Sequence, residues 1–119
     1  MPWQVEGTDQ FEEWFGALAA EEQQRVAFVI ELLEERGPLL SRPFADTIRG
    51  SRFSNLKELR TQAEGDPLRV LFAFDPRRVA ILLVGGDKTG DNRFYERLVP
   101  LADALYEEHL EHLRTEHDD

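Results

Sequence analysis

The stretch from Leu56 to Val84 leaves the chain few choices of fold. It holds three apolar-rich runs, Leu56–Arg60, Leu68–Asp75 and Val79–Val84, separated by Ala63–Pro67 and by the tight connection Asp75-Pro76-Arg77-Arg78. Connections this short cannot carry a crossover, so the runs are expected to pair as an antiparallel meander. In the second run Leu68, Val70, Phe72 and Phe74 share one face, and Arg69, Leu71 and Ala73 share the other. The third run is apolar on both faces, which places it at the centre of the sheet.

Helical patterns flank these strands. Trp3-Gln4-Val5 alternates and reads as a short first strand. Thr8 can cap a helix whose first turn carries Asp9, Glu12 and Glu13, and Phe11, Trp14, Phe15 and Leu18 follow at helical spacing as core residues. A second helix is expected from about Glu21 to Arg36, with Val26, Val29, Ile30 and Leu33 on one face and Gly37-Pro38 ending it. Residues 38–54, with two prolines, one glycine and four serines or threonines, read as a loop. A last helix is expected from about Pro100 to Leu113, and 114–119 as a frayed acidic tail. The expectation is one α+β domain over 1–119.

Composition removes several classes of function. There is no cysteine, which excludes a disulfide scaffold, a zinc-thiolate site and a cysteine nucleophile. No run approaches the roughly 18 apolar residues of a membrane span, and the N-terminus lacks the pattern of a signal peptide. A soluble cytoplasmic protein is expected, with no membrane partner. The net charge of −10 opposes indiscriminate nucleic-acid binding, but it is unevenly spread. Residues 1–35 carry one basic and nine acidic side chains, 36–97 carry twelve basic and eight acidic, and 98–119 carry one basic and seven acidic. The middle is therefore net +4. This suggests a basic working face between acidic helices, although helices rich in Glu beside ordinary strands would give the same count.

Most candidate motifs dissolve on inspection. Gly85-Gly86-Asp87-Lys88-Thr89 follows a strand but lacks the glycine spacing of a phosphate-binding loop, and Asp87 would repel phosphate. His109, His112 and His117 fall together in the acidic C-terminal segment, where a solvated polar surface is a better reading than a metal site or acid–base catalysis. No Ser–His–Asp arrangement can be assembled. No metal and no cofactor are expected. What remains is a central basic set, Lys57, Arg60, Arg69, Lys88, Arg93 and Arg97, with Tyr95 beside it. Arg69 either pairs with Glu58 across the sheet or aims its fork of N–H groups at phosphate. Tyr95 either stacks on a base or exchanges a proton, or simply packs between sheet and last helix.

In order along the chain, Lys57-Glu58-Leu59-Arg60, Arg69-Val70-Leu71-Phe72-Ala73-Phe74-Asp75, Gly86-Asp87-Lys88 and Asn92-Arg93-Phe94-Tyr95-Glu96-Arg97 resemble the RelE/HigB superfamily of bacterial toxins, and most of all its phage-derived HigB-type branch. The resemblance runs from Trp3 to about Leu110. It implies a RelE-like α+β fold, a curved antiparallel sheet with two N-terminal helices packed across it and a C-terminal helix. It implies the toxin of a type II toxin–antitoxin pair, with a helix-turn-helix antitoxin as partner. Many relatives cleave mRNA on the ribosome with an Arg/Lys/Tyr cluster. Carried over by position, Arg69 stabilises phosphate, Lys57 and Arg60 lie near the scissile group, Arg93 and Tyr95 serve the leaving group and stack on a base, and Lys88 and Arg97 contact RNA. Two features depart from the pattern: the negative net charge, and Glu58, where some relatives carry lysine. A ParE-like gyrase inhibitor and a non-catalytic partner-binding module remain open on the same fold.

Overall fold

The computed structural model describes residues 2–117. Five strands and three helices follow in the order β1 (Val5–Gly7), α1 (Asp9–Gly16), α2 (Ala20–Arg36), β2 (Ala45–Thr47), β3 (Lys57–Ala63), β4 (Asp66–Phe74), β5 (Ala80–Asp87) and α3 (Phe94–His117). The strands form one sheet in the order β1-β5-β4-β3-β2. The three central strands pair antiparallel, as the short turns require, and β2 adds to their outer edge antiparallel. The sheet is nevertheless mixed, because β1 runs parallel to β5. The two helices between β1 and β2 carry the chain away, so β1 is free of the hairpin constraint that forces its neighbours antiparallel.

Each helix is set by a local cause. The Thr8 hydroxyl accepts the N–H of Phe11 at 3.0 Å and donates to the Leu83 carbonyl at 2.6 Å, so one residue caps α1 and ties it to β5. At the N-terminus of α2 the Glu22 carboxylate accepts the Ala19 N–H at 2.9 Å. Gly37, with φ of 54°, ends α2 where a Cβ would collide with the Trp3 ring. The loop expected over 38–54 contains β2, which its proline and serine content conceals.

The last helix differs most from expectation. It begins at Phe94 rather than near Pro100, and it continues to His117 through most of the segment expected to fray; Asp118 and Asp119 lie outside the described residues. Pro100 sits inside the helix. Burial of Phe94, Leu98 and Val99 against the sheet supplies what the proline removes from the backbone ladder. Arg93 N–H donates to Asp91 at 3.0 Å just ahead of the first turn.

The sheet has a core on each face. Phe11, Val26, Val29 and Leu33 from α1 and α2 pack on Leu59, Val70, Phe72 and Leu82. Phe94, Leu98, Ala102 and Tyr106 from α3 pack on Leu71, Ile81 and Leu83. The alternation of Leu68, Val70 and Phe72 against Arg69, Leu71 and Ala73 holds as read from the sequence. A register shift sets Leu71 against Val84 and Phe72 against Leu82, so Leu83 and Val84 both join the α3 face. Past this bulge a Cβ on Gly85 would collide with Trp14, and one on Gly86 with Phe94. The glycine pair is a passage for two aromatic rings on opposite faces, not a phosphate loop. Among the described residues, no helix is long and apolar enough to cross a membrane.

Candidate functional site

The pairing of β3 with β4 sets Arg60 opposite Arg69 and Glu58 opposite Leu71, which makes Glu58 and Arg69 diagonal neighbours on one face. That is the face α3 covers. Glu58 and Arg69 are each only 6% exposed. Arg69 Nε lies 3.5 Å from Glu58 Oε1, close enough for an ion pair but with an angle too poor for a hydrogen bond. Arg69 Nη1 donates to the Leu68 carbonyl at 3.0 Å, while Nε finds no acceptor among the described residues. The sequence left two roles open for Arg69, and the strand-to-strand pairing with Glu58 is present.

Tyr95, the second residue of α3, closes over this pair. Its hydroxyl donates to Glu58 Oε1 at 2.7 Å. Burial, then the Glu58 carboxylate, hold the phenol above its ordinary pKa, and Arg69 opposes them only in part. Phe94 meets the Tyr95 ring edge-on at 5.1 Å, and Lys88 Nζ stands 5.1 Å from the centre of the same ring. The loop carrying Lys88 is fixed to the β3–β4 hairpin, because Lys88 N–H donates to the Pro67 carbonyl at 2.8 Å and Thr89 reaches Asp66 at 3.2 Å. Four chain segments therefore converge on one carboxylate.

The other residues singled out in the sequence divide. Arg60 lies beside Arg69 at the outer edge of β3. There, with Arg25, Phe28 and Phe44, the two arginines line an open cleft of about 770 Å³. Arg93 and Arg97 stand exposed at the start of α3, and Arg97 pairs with Asp91, whose carboxyl it holds below the ordinary range. Lys57 does not join them. Strand alternation turns it to the α2 side, where it lines a hollow with Leu40, Ala45 and Thr47. The spacing of Lys57 and Arg60, an odd number of residues, already carried that information.

A second polar cluster was missed. Asp75, at the start of the β4–β5 turn, has a fully buried side chain. It accepts from Arg77 Nη2 at 2.8 Å, from Arg77 N–H at 2.8 Å and from Val79 N–H at 3.2 Å, and His109 Nε2 lies 2.9 Å from its Oδ2. Burial pushes this carboxyl up, but the hydrogen bonds from His109, Arg77 and the backbone outweigh it, so Asp75 sits below the ordinary carboxylate range. His109 is thus docked rather than solvated, a correction to the sequence reading, while His112 is solvated as expected. The His117 side chain lies outside the described residues. The Asp-Pro step after an apolar strand is the signal that would have found Asp75. Among the described residues no group of acidic or histidine side chains is disposed to hold a metal ion.

The site thus offers a buried carboxylate, a phenol bonded to it and several cations within one patch, which suits proton transfer beside an anionic substrate. Charge placement around it is mixed. Most of the acidic α1–α2 layer packs on the far face of the sheet, but Glu21 of α2 and Glu64 line the same cleft as Arg60 and Arg69. Along α3, Glu96 follows Tyr95 directly and Asp103 comes eight residues on, while the acidic run that starts at Glu107 lies about 18 Å away at the helical rise, or about two Debye lengths.

Comparison with known proteins agrees with this architecture. Residues 13–107 match the family described as phage derived protein Gp49-like (DUF891). The chain is 48% identical over 102 residues to a Mycobacterium tuberculosis (strain ATCC 25618 / H37Rv) protein named "Putative toxin HigB3", covering 85% of this chain and 88% of the relative. It is 46% identical over 99 residues to "Putative toxin HigB2" of the same organism, covering 82% of this chain but only 49% of that longer protein. Two solved structures share the fold at low identity. One is in the archaeal RelE–RelB complex from Pyrococcus horikoshii OT3, with a TM-score of 0.56, 16% identity, and 76% of this chain and 99% of that one covered. The other is a double arginine-to-alanine mutant of E. coli toxin RelE in the free state, with a TM-score of 0.60, 10% identity, and 82% and 96% covered. The chain belongs to the phage-derived Gp49-like family, within the RelE/HigB superfamily of toxins.

Proposed function

We propose that this protein is the toxin of a toxin–antitoxin pair and that it cleaves mRNA on the ribosome in the bacterial cytoplasm. The observation that carries the chemistry is the Tyr95 hydroxyl bonded to a buried carboxylate at 2.7 Å, with Lys88 over its ring and Arg69 behind it. Cleavage of RNA by its own 2′-hydroxyl needs an acceptor for the 2′ proton, cations for the charge that grows on phosphorus, and a proton for the leaving 5′-oxygen. Tyr95 serves the proton, and Lys88, Arg60 and Arg69 serve the charge. Arg93 and Arg97 extend the cationic surface along the RNA. Lys57, on the other face, has no part in it. The names of the two mycobacterial relatives support the toxin role, and the RelE–RelB complex supports an antitoxin partner, here a helix-turn-helix protein.

One observation favours a different reading. Glu58 already neutralises Arg69 in a nearly closed environment, which suits a non-catalytic module that keeps only its partner. Mapping of mRNA 5′ ends after a short pulse of expression separates the two. New ends inside translated codons, absent with Tyr95→Phe, are expected. Soluble protein with no new ends would defeat the nuclease reading in favour of partner binding, or of gyrase inhibition if DNA damage appears.

A further inference from the structure

We infer that Glu58 is a positioning residue that receives the proton passing through Tyr95, so that phenol and carboxylate act together as the base that activates the ribose 2′-hydroxyl. This rests on the nuclease reading above. A lone phenol gives up its proton poorly near neutrality and, while protonated, can take another only by releasing the first. Glu58 Oε1 provides the outlet, since it already accepts the phenol proton at 2.7 Å. The arrangement repeats the logic in which a base is oriented and completed by a buried carboxylate.

The surroundings of Glu58 fit this role. Arg69 on β4 compensates its charge at 3.5 Å without hydrogen-bonding to it, so the guanidinium does not compete with Tyr95 for the oxygen that accepts the phenol proton. Asp46 is its register partner on β2, Arg60 lies two residues away on β3, Tyr95 covers it from α3, and Lys88 reaches it only through the Tyr95 ring. Burial holds the phenol neutral at rest, ready to donate inward. In the step, the bond from O2′ to phosphorus forms as the bond from phosphorus to O5′ breaks. The 2′ proton passes to Tyr95 Oη while the phenol proton passes to Glu58 Oε1. The 5′-oxygen takes a proton from water, leaving a 2′,3′-cyclic phosphate and a 5′-hydroxyl. Lys88 and Arg60 balance the charge on the phosphorane, and Glu58 returns its proton to water through Tyr95.

The test is ribosome-dependent cleavage of a defined mRNA by the full chain, followed across pH. Wild-type protein should show a rate that rises from acid pH along one limb and then levels. Glu58→Gln paired with Arg69→Gln removes both charges, keeps the shape at position 58 and leaves a polar amide at each position. It should fold, lose activity by roughly 100- to 1,000-fold and lose the acid limb. Tyr95→Phe, which leaves the ion pair in place, should fall as far. Glu58→Asp should recover part of the rate together with the limb, and Arg69→Gln alone should keep the limb. A Glu58→Gln/Arg69→Gln protein that is folded and cleaves at the wild-type rate, or keeps the acid limb, overturns the relay and leaves the nuclease standing. Wild-type protein that cleaves no mRNA overturns the nuclease reading, and the relay with it.

Discussion

Two buried carboxylates mark the two ends of the sheet face under α3, and they are built to opposite standards. Asp75, toward the C-terminal end of the helix, is saturated: two backbone N–H groups, two Arg77 nitrogens and His109 surround it. Glu58, toward the N-terminal end, has one good hydrogen bond, from Tyr95, and a cation whose Nε is left without an acceptor. A saturated carboxylate fixes geometry and has nothing left to offer. An under-satisfied one is costly in stability and available for chemistry. The contrast identifies Asp75 as the latch that holds α3 to the β4–β5 turn, and Glu58 as the group through which α3 meets the reaction.

The strongest way to break this contrast is to delete each carboxylate's partners. Asp75→Ala strands His109, Arg77 and two backbone donors, and should cost about 3–5 kcal/mol in urea unfolding. Replacing Glu58 and Arg69 together by Leu and Met should stay within about 1–2 kcal/mol of wild type while abolishing growth arrest. If the second pair costs as much as Asp75→Ala, the N-terminal cluster is as structural as the other and the contrast fails.

The pH dependence of stability sharpens it further. The folded Asp75 carboxyl titrates below its unfolded value, about 3.9. Its contribution is therefore full above about pH 4 and lost as pH falls through the lower folded value. Tyr95 is the mirror case. Its folded phenol titrates above the unfolded value of about 10, so its contribution is full below that pH and lost as pH rises through the folded value. Acid unfolding should be blunted by Asp75→Asn and alkaline unfolding by Tyr95→Phe, each measured by circular dichroism.

Smaller effects follow. Tyr95→Phe removes the one good hydrogen bond to a buried carboxylate and should cost about 1.5–3 kcal/mol at neutral pH. Lys57→Ala and Lys88→Ala should each change stability by no more than about 0.5 kcal/mol. Only the second should weaken growth arrest, since Lys57 faces the other side of the sheet. Arrest relieved equally by both would mean that RNA runs around the edge of β3 rather than across the α3 face.

Much of the fold was legible because it is dictated locally. The Thr8 cap, the stop at Gly37 and the alternation in β4 each follow from a few neighbouring residues. The start of α3 was not, because a proline inside a helix looks like a helix start until the burial of Phe94 and Leu98 is known. The site was half legible. Arg69, Tyr95 and Lys88 were found by residue type and order, and Glu58 was read as a cross-strand partner for Arg69 and a departure from the family pattern, but not as the acceptor for Tyr95. Asp75 and His109 were missed as a pair because 34 residues separate them and neither is unusual in its own neighbourhood.

The sequence by itself determined that three antiparallel strands carry an arginine on the face opposite their main apolar stripe, and that the basic residues gather in the middle of the chain. Period and turn length are local properties, and they need no third dimension. Only the tertiary structure decided that β1 joins parallel, and that Glu58 under α3 is under-satisfied while Asp75 is saturated. Those outcomes depend on which groups reach each other after the chain has folded back. The energy of a buried charge is set by its complete list of partners, and no stretch of sequence contains that list.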